Sequence, residues 1–209
     1  MRIVAKYSHL NGEEFLLVHH KNVYAEIKAA IRQVDAARFK TKISKEKTMP
    51  GKRLYDPDAL NTEFHRLLTT QRWTSSVYRY YVTTDRRILE QIVNLPLEAQ
   101  NDFLVQHGLP VIKSYKQTDF VKDQIAIEVQ FGKYAFVAYD LFVKHMLFYS
   151  GGIINVGVEV LPVRAMARDP AGGRAMSTGI AYFEGEVYNV LRQGRGNPPV
   201  PLLMLGVAP

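Results

Sequence analysis

Thr118-Asp119-Phe120-Val121-Lys122-Asp123-Gln124-Ile125-Ala126-Ile127-Glu128-Val129-Gln130-Phe131 is the stretch from which the fold can be read. Two β-rich runs, 118–121 and 125–131, flank the polar turn Lys122-Asp123-Gln124, so the spacing predicts a hairpin. Side chains alternate along a strand. Ile125, Ile127 and Val129 therefore share one face, while Ala126, Glu128 and Gln130 share the other. With the turn centred near Asp123, Asp119 lies across from residue 127 or 128, and cross-strand Cβ atoms stand about 5 Å apart. Two carboxylates are then expected to meet with an amide beside them. Such a set can hold a hard divalent cation such as magnesium, with water and a substrate phosphate completing the octahedron.

Outward from the hairpin, a helix is predicted over 136–149 and a strand over 153–161, with Ile154, Val156, Val158 and Val160 on one side. Residues 164–179 read as a loop, 182–191 as a helix with Phe183, Val187, Val190 and Leu191 on one side, and 200–207 as a closing strand. Upstream, Val23, Ile27, Ala30, Ile31 and Val34 recur at helical spacing and predict a helix over 22–38. Asp56-Pro57-Asp58 opens a second helix carrying Leu60, Phe64, Leu67 and Leu68. A strand over 78–83 and helices from Asp85 and over 96–107 follow, and His19-His20 read as part of a strand. The class expected is α/β, a mixed central β-sheet flanked by helices.

The chain has 209 residues, 47% hydrophobic and 22% charged, which excludes disorder and suits one domain over 1–209. No run approaches the roughly 18 apolar residues of a membrane span, and Met1-Arg2-Ile3-Val4 does not open a signal peptide. A soluble, cytoplasmic protein with no membrane partner is expected. Cysteine is absent, so thiolate metal sites and cysteine nucleophiles are excluded and any metal must sit on oxygen or imidazole. The net charge of +7 favours a polyanionic partner. Between Arg38 and Arg53 stand Lys40, Lys42, Lys45, Lys47 and Lys52 against a single acid, Glu46, with Thr41, Ser44 and Thr48 interleaved. Ammonium groups and hydroxyls together suit a phosphate backbone.

The runs KSYKQTDFVKD (113–123) and IAIEVQFGKY (125–134) resemble the catalytic hairpin of type II restriction endonucleases of the BstYI and BglII kind, in the BglII/BamHI-like branch of the PD-(D/E)XK nucleases. The resemblance continues through FVAYDLFVKHM (136–146), Val156-Gly157-Val158-Glu159, Tyr188-Asn189-Val190 and Arg192-Gln193-Gly194-Arg195-Gly196. It is also present early, in 1–4, 7–12 and 44–48, and so spans nearly the whole chain. It implies a PD-(D/E)XK restriction-endonuclease fold, a homodimer, magnesium dependence, and double-stranded DNA cut at a GATC-centred palindrome, R/GATCY, leaving four-base 5′ overhangs. A cognate DNA methyltransferase in the host is implied with it. Two other readings stay open at this point, a repair nuclease of the same fold and a non-cleaving DNA-binding protein.

In this reading Asp119, Glu128 and Gln130 are catalytic, with Asp119 and Glu128 as metal ligands. Most such nucleases carry lysine where this chain has Gln130. A glutamine can orient water but cannot take its proton near neutrality. The resemblance points to Lys133 and to the loop holding Ser177 and Thr178 as base-reading segments. A donor aimed at purine N7 is satisfied by adenine or guanine alike, which suits a degenerate outer position. Lys42, Lys45, Lys47, Arg192 and Arg195 are expected on the DNA backbone. About six residues around 168–176 are extra relative to that pattern. His145 is expected to be packed or to face a phosphate rather than to act as a base, Glu184 and Glu186 to lie on a helix surface, and Phe136, Tyr139, Phe142 and Tyr149 to form core or dimer interface.

Overall fold

Strand β1 (Arg2–His9) opens the chain and is followed by helices α1 (Gly12–His19) and α2 (Lys21–Gln33). The short strands β2 (Lys42–Ile43) and β3 (Arg53–Leu54) pair antiparallel before helix α3 (Pro57–Thr70). Next come β4 (Thr74–Val82), α4 (Arg86–Ile92), α5 (Leu97–Gln106), β5 (Ile112–Lys122) and β6 (Ile125–Val129). After them lie α6 (Tyr134–Tyr139), α7 (His145–Ser150), β7 (Val156–Pro162), α8 (Phe183–Arg192) and β8 (Leu202–Ala208). This computed structural model describes all 209 residues, Met1–Pro209, and divides them into two compact units. One comprises Met1–Ser75 with Thr118–Pro209, the other Ser76–Gln117.

The larger unit is built on strands in the order β1-β8-β7-β6-β5. β6, β7 and β8 run parallel to one another, while β1 and β5 lie antiparallel to their neighbours, so the sheet is mixed, as expected. Leu16, Ile27, Ile31 and Phe64 from α1, α2 and α3 join Ile127, Val158 and Leu203 of the sheet in one apolar cluster. β6 and β7 are buried at every residue, which is why both read as near-continuous apolar runs and why a charged residue within them needs a partner. In the smaller unit β4 borders β5, and buried Gln100 of α5 holds the Tyr81 N–H (3.2 Å) and Leu95 carbonyl (2.9 Å). No helix is long and apolar enough to cross a membrane.

The hairpin turn is tighter than the three residues read from sequence. Asp123 and Gln124 both have positive φ (49° and 61°), the two-residue geometry whose twist matches paired strands. Pro57 begins α3 behind the Asp56 cap, whose carboxylate accepts from Asp58 N–H at 3.1 Å. The helix expected over 22–38 stops at Gln33, because Asp35 caps a separate 3-10 turn at Ala36–Phe39. His19 and His20 are not on a strand. They end α1 and join it to α2, both rings lying against Phe15 at centroid distances of 4.7 and 5.5 Å. The apolar stretch Phe15-Leu16-Leu17-Val18 hides that helix from a periodicity argument.

Candidate active site

The β5–β6 register pairs Lys122 with Ile125, Val121 with Ala126 and Phe120 with Ile127. One further step places Asp119 opposite Glu128. Asp119 is exposed, whereas Thr118 and Phe120 on either side of it are buried. Glu128 is buried, and its Oε1 accepts from the Thr118 hydroxyl at 2.7 Å and from Lys144 Nζ at 2.7 Å. Burial pushes Glu128 up to about 7 against the pull of the Lys144 ammonium, with the charges of Asp140 and Asp119 adding to the rise. Gln130 lies one residue past β6, and its Oε1 is turned back to accept the Gly132 N–H at 2.9 Å. Its amide NH2 is left as the group able to meet a ligand.

Behind Glu128 lies a second layer of ionisable groups. Between α6 and α7 the helix widens to a π turn over Asp140–Lys144, a distortion frequent at functional sites. It brings Lys144 Nζ onto both Glu128 Oε1 and Asp140 Oδ1, at 2.7 and 2.8 Å. Burial alone would lower the Lys144 ammonium, but the charges of Glu128 and Asp140 outweigh it and hold the lysine above its ordinary range. Asp140 is raised by its burial, with Lys144 opposing. Glu159 pairs in register with Glu128 on the neighbouring strand and meets His145 Nε2 at 3.0 Å. Burial and then the charges of Asp140 and Glu128 raise Glu159 well above the carboxylate range, and burial pushes His145 down to about 3. Glu159 Oε2 is buried without a partner. Gly157 is needed there, since a Cβ would come within 2.5 Å of the His145 ring.

These residues suit a hard cation. Glu128 and Asp140 already share one positive charge, the Lys144 ammonium, and all the anionic donors are oxygen. No three His, Asp or Glu side chains stand together as a metal-holding group. One or two protein carboxylates, with the rest from water and phosphate, is the usual allotment for magnesium.

The base-reading candidates come together beside this centre. Lys133 forms a bridge with Ile180, Tyr134 N–H donates to the Gly179 carbonyl (3.1 Å), and Ala181 N–H donates to the Gly132 carbonyl (3.0 Å). The chain just past β6 is thus stitched to the loop holding Ser177 and Thr178. Lys133 and Thr178 are exposed and Ser177 is half-buried. Thr178 does not cap the following helix, because α8 begins after Tyr182. Lys42, Lys45 and Lys47 are exposed, as are Arg192 and Arg195 at the end of α8, where Arg192 lies over the Tyr188 ring at 5.5 Å.

Residues 4–207 match the family described as restriction endonuclease BglII/BglIII. The chain belongs to that family. It is therefore a restriction endonuclease, a site-specific deoxyribonuclease. Among solved structures, restriction endonuclease BglII complexed with a DNA 16-mer is similar with a TM-score of 0.64 and 18% identity, over 100% of this chain and 79% of that one. Free BglII gives 0.57 and 16%, over 100% and 80%. At these identities the likeness shows the fold. No curated protein matches in sequence.

Several of the endonuclease's residues stand differently from the sequence reading. Glu186 is buried and holds Asn189 Nδ2 at 3.1 Å, while Glu184 is exposed as expected and accepts the Arg164 N–H at 2.9 Å. The aromatic stripe is divided: Phe142 packs against the core, while Phe136 is 55% and Tyr149 39% exposed. Within the basic run, Lys40 and Lys52 are turned onto Asp169, at 2.7 and 3.9 Å. Sequence reasoning gives Asp140, Lys144 and Glu159 no role, although all three fall in segments that carry the resemblance. The one signal for them is two acids and a lysine sitting inside otherwise apolar helical and strand segments.

Proposed function

We propose that the endonuclease cuts double-stranded DNA at a GATC-centred palindrome, R/GATCY, leaving four-base 5′ overhangs, with magnesium held by Asp119 and Glu128. The observation that carries this is the buried Glu128 on β6, across the hairpin from exposed Asp119 and two residues before Gln130. When bound, a divalent cation lowers the pKa of a water and neutralises charge on the scissile phosphate. The rest falls to the chain. Lys144 keeps Glu128 and Asp140 oriented, and Thr118 fixes which oxygen of Glu128 is engaged. With its Oε1 committed to Gly132, Gln130 donates through its amide to the attacking water or a phosphate oxygen, and it cannot accept the proton.

Donor-only Lys133 and the single hydroxyl of Thr178, both exposed, suit an outer purine of either kind, and Ser177 belongs to the same loop. Lys42, Lys45, Lys47, Arg192 and Arg195 form the phosphate-contacting set. A homodimer matches a palindrome by twofold symmetry, and Tyr134, Phe136, Tyr188 and Leu191, all more than half exposed on or beside α6 and α8, are apolar surface fit for its interface. Both units serve one endonuclease domain over 1–209, working in the cytoplasm beside a methyltransferase that protects the same site.

The test is to incubate purified protein with unmethylated phage DNA and magnesium, beside Glu128→Ala and an EDTA control, and to sequence the fragment ends. Discrete ends carrying 5′-GATC, absent from both controls, are expected. Ends at another sequence would refute the GATC assignment, and cleavage by Glu128→Ala would refute the metal site.

A further inference from the structure

The basic segment and the loop before α8 are separated by more than a hundred residues and joined at successive points. Lys40 Nζ meets Asp169 Oδ2 at 2.7 Å, Lys52 Nζ meets the Gly172 carbonyl at 2.7 Å, and Tyr55 N–H donates to the Ala175 carbonyl at 2.8 Å. The last link falls on the loop proposed to read bases, where Thr178 N–H donates to Glu46 Oε1 at 2.9 Å. Residues 168–176 thus form a strut between the two segments, closed on itself by the Arg168–Arg174 bridge.

Glu46 is the only acid between Arg38 and Arg53. In a segment whose other charges all attract phosphate, a carboxylate weakens DNA binding unless it does something else. Its own position is fixed: the buried Ser44 hydroxyl accepts its N–H at 3.2 Å, and its carbonyl accepts the Met49 N–H at 3.0 Å. Lys45 and Lys47, on either side of it, are exposed. From the far side, Arg174 donates to the Ser177 carbonyl (3.0 Å) and the Met176 carbonyl (3.3 Å). The peptide of Thr178 is therefore gripped from both directions. An N–H bonded to an ionised carboxylate is among the stronger hydrogen bonds, and holding that peptide sets where the Thr178 hydroxyl points. Glu46 stays ionised, since the Thr178 N–H holds it below the usual carboxylate range against a smaller effect of burial, helped by the Thr178 hydroxyl, Arg174 and the Ser177 hydroxyl.

We propose that Glu46 is a specificity-determining positioning residue, whose carboxylate anchors Thr178 through its N–H and holds its hydroxyl until DNA is bound, when that hydroxyl turns to the outer base in step with the phosphate contacts of Lys45 and Lys47. This rests on the reading of Thr178 as a base-reading residue. Base discrimination is then a property of two segments, and a change in Glu46 alters which sites are cut without touching DNA itself.

Two conservative variants separate reach from charge. Glu46→Gln keeps an acceptor at the same reach, and Glu46→Asp keeps the charge but falls a methylene short of the Thr178 N–H. Cleavage by the full-length protein with magnesium is compared on duplexes differing only in the outer base pair, as a ratio of kcat/KM values, with thermal melts confirming that each variant is folded. Glu46→Asp should lose about tenfold in that ratio, the range one base contact supplies, while Glu46→Gln stays within about threefold of the parent. A merely structural role would lower both rates together and leave the ratio unmoved. Undiminished discrimination by Glu46→Asp, with discrimination lost in Thr178→Ala, overturns the proposal alone. If Thr178→Ala also leaves the ratio intact, the reading of Thr178 falls and this proposal falls with it.

Discussion

Replacing Lys144 with methionine tests the charge balance of the centre without removing a proposed metal ligand. The ammonium lies 2.7 Å from Glu128 and 2.8 Å from Asp140, and the three side chains are 14%, 4% and 5% exposed. Screening by water is therefore weak, and removing the shared cation leaves two acids buried near each other. Breaking a buried pair by deleting one partner costs about 3–5 kcal/mol. For a chain of this size that lowers the melting midpoint by about 6–20 °C. The lower end is expected, because Glu128 is already raised to about 7 and can hold a proton at modest cost. Differential scanning calorimetry at neutral pH in EDTA measures this directly. Adding Glu128→Gln to Lys144→Met should recover part of the loss, since the second substitution removes one of the two stranded charges. Magnesium, titrated against the parent and Lys144→Met, should raise the variant's midpoint more, because without the ammonium the cation meets two uncompensated carboxylates and binds the folded state more tightly. A Lys144→Met protein melting within about a degree of the parent would refute the account of Lys144 as the internal counter-ion.

Alanine at Lys42, Lys45 and Lys47 together should flatten the dependence of log affinity on log salt by close to one unit for every phosphate no longer neutralised, measured by filter binding with calcium in place of magnesium; an unchanged slope removes the segment from the footprint. Gly157→Ala drives a methyl group into the His145 ring and should cost about 1–3 kcal/mol in urea denaturation, with a neutral result showing that α7 yields easily. Burial raises Glu186, against the Asn189 hydrogen bond, so its contribution is full below the ordinary carboxyl range and is lost as pH rises through the elevated value. Glu186→Gln should therefore flatten the fall in stability as pH rises above the ordinary carboxyl range, and an identical pH profile would contradict the burial.

The hairpin was legible because its signal is local. Alternation around a polar turn depends only on neighbours along the chain, and the structure moves the register by no more than the choice between residues 127 and 128 as the partner of Asp119. Helix α3 was legible for the same reason, since Asp56 and Pro57 start it without outside help. Helix α1 was not, because its Leu16-Leu17-Val18 run lacks helical periodicity and its placement depends on Gly12 lying against the backbone of Leu202.

The site divides along the same line. Asp119, Glu128 and Gln130 sit within twelve residues, so the chain itself sets their spacing. Lys144 reaches Glu128 only through the π turn that follows α6, and Glu159 reaches it only through the pairing of β6 with β7. Glu46 finds Thr178 across 132 residues of chain. Composition, charge, the hairpin and the family resemblance were carried by the sequence alone, because each is a property of residues near one another or of their sum. Which acids are buried, which lysine neutralises them and which carboxylate holds the loop of Thr178 were decided by the tertiary structure, because burial and long-range pairing do not exist until distant segments pack.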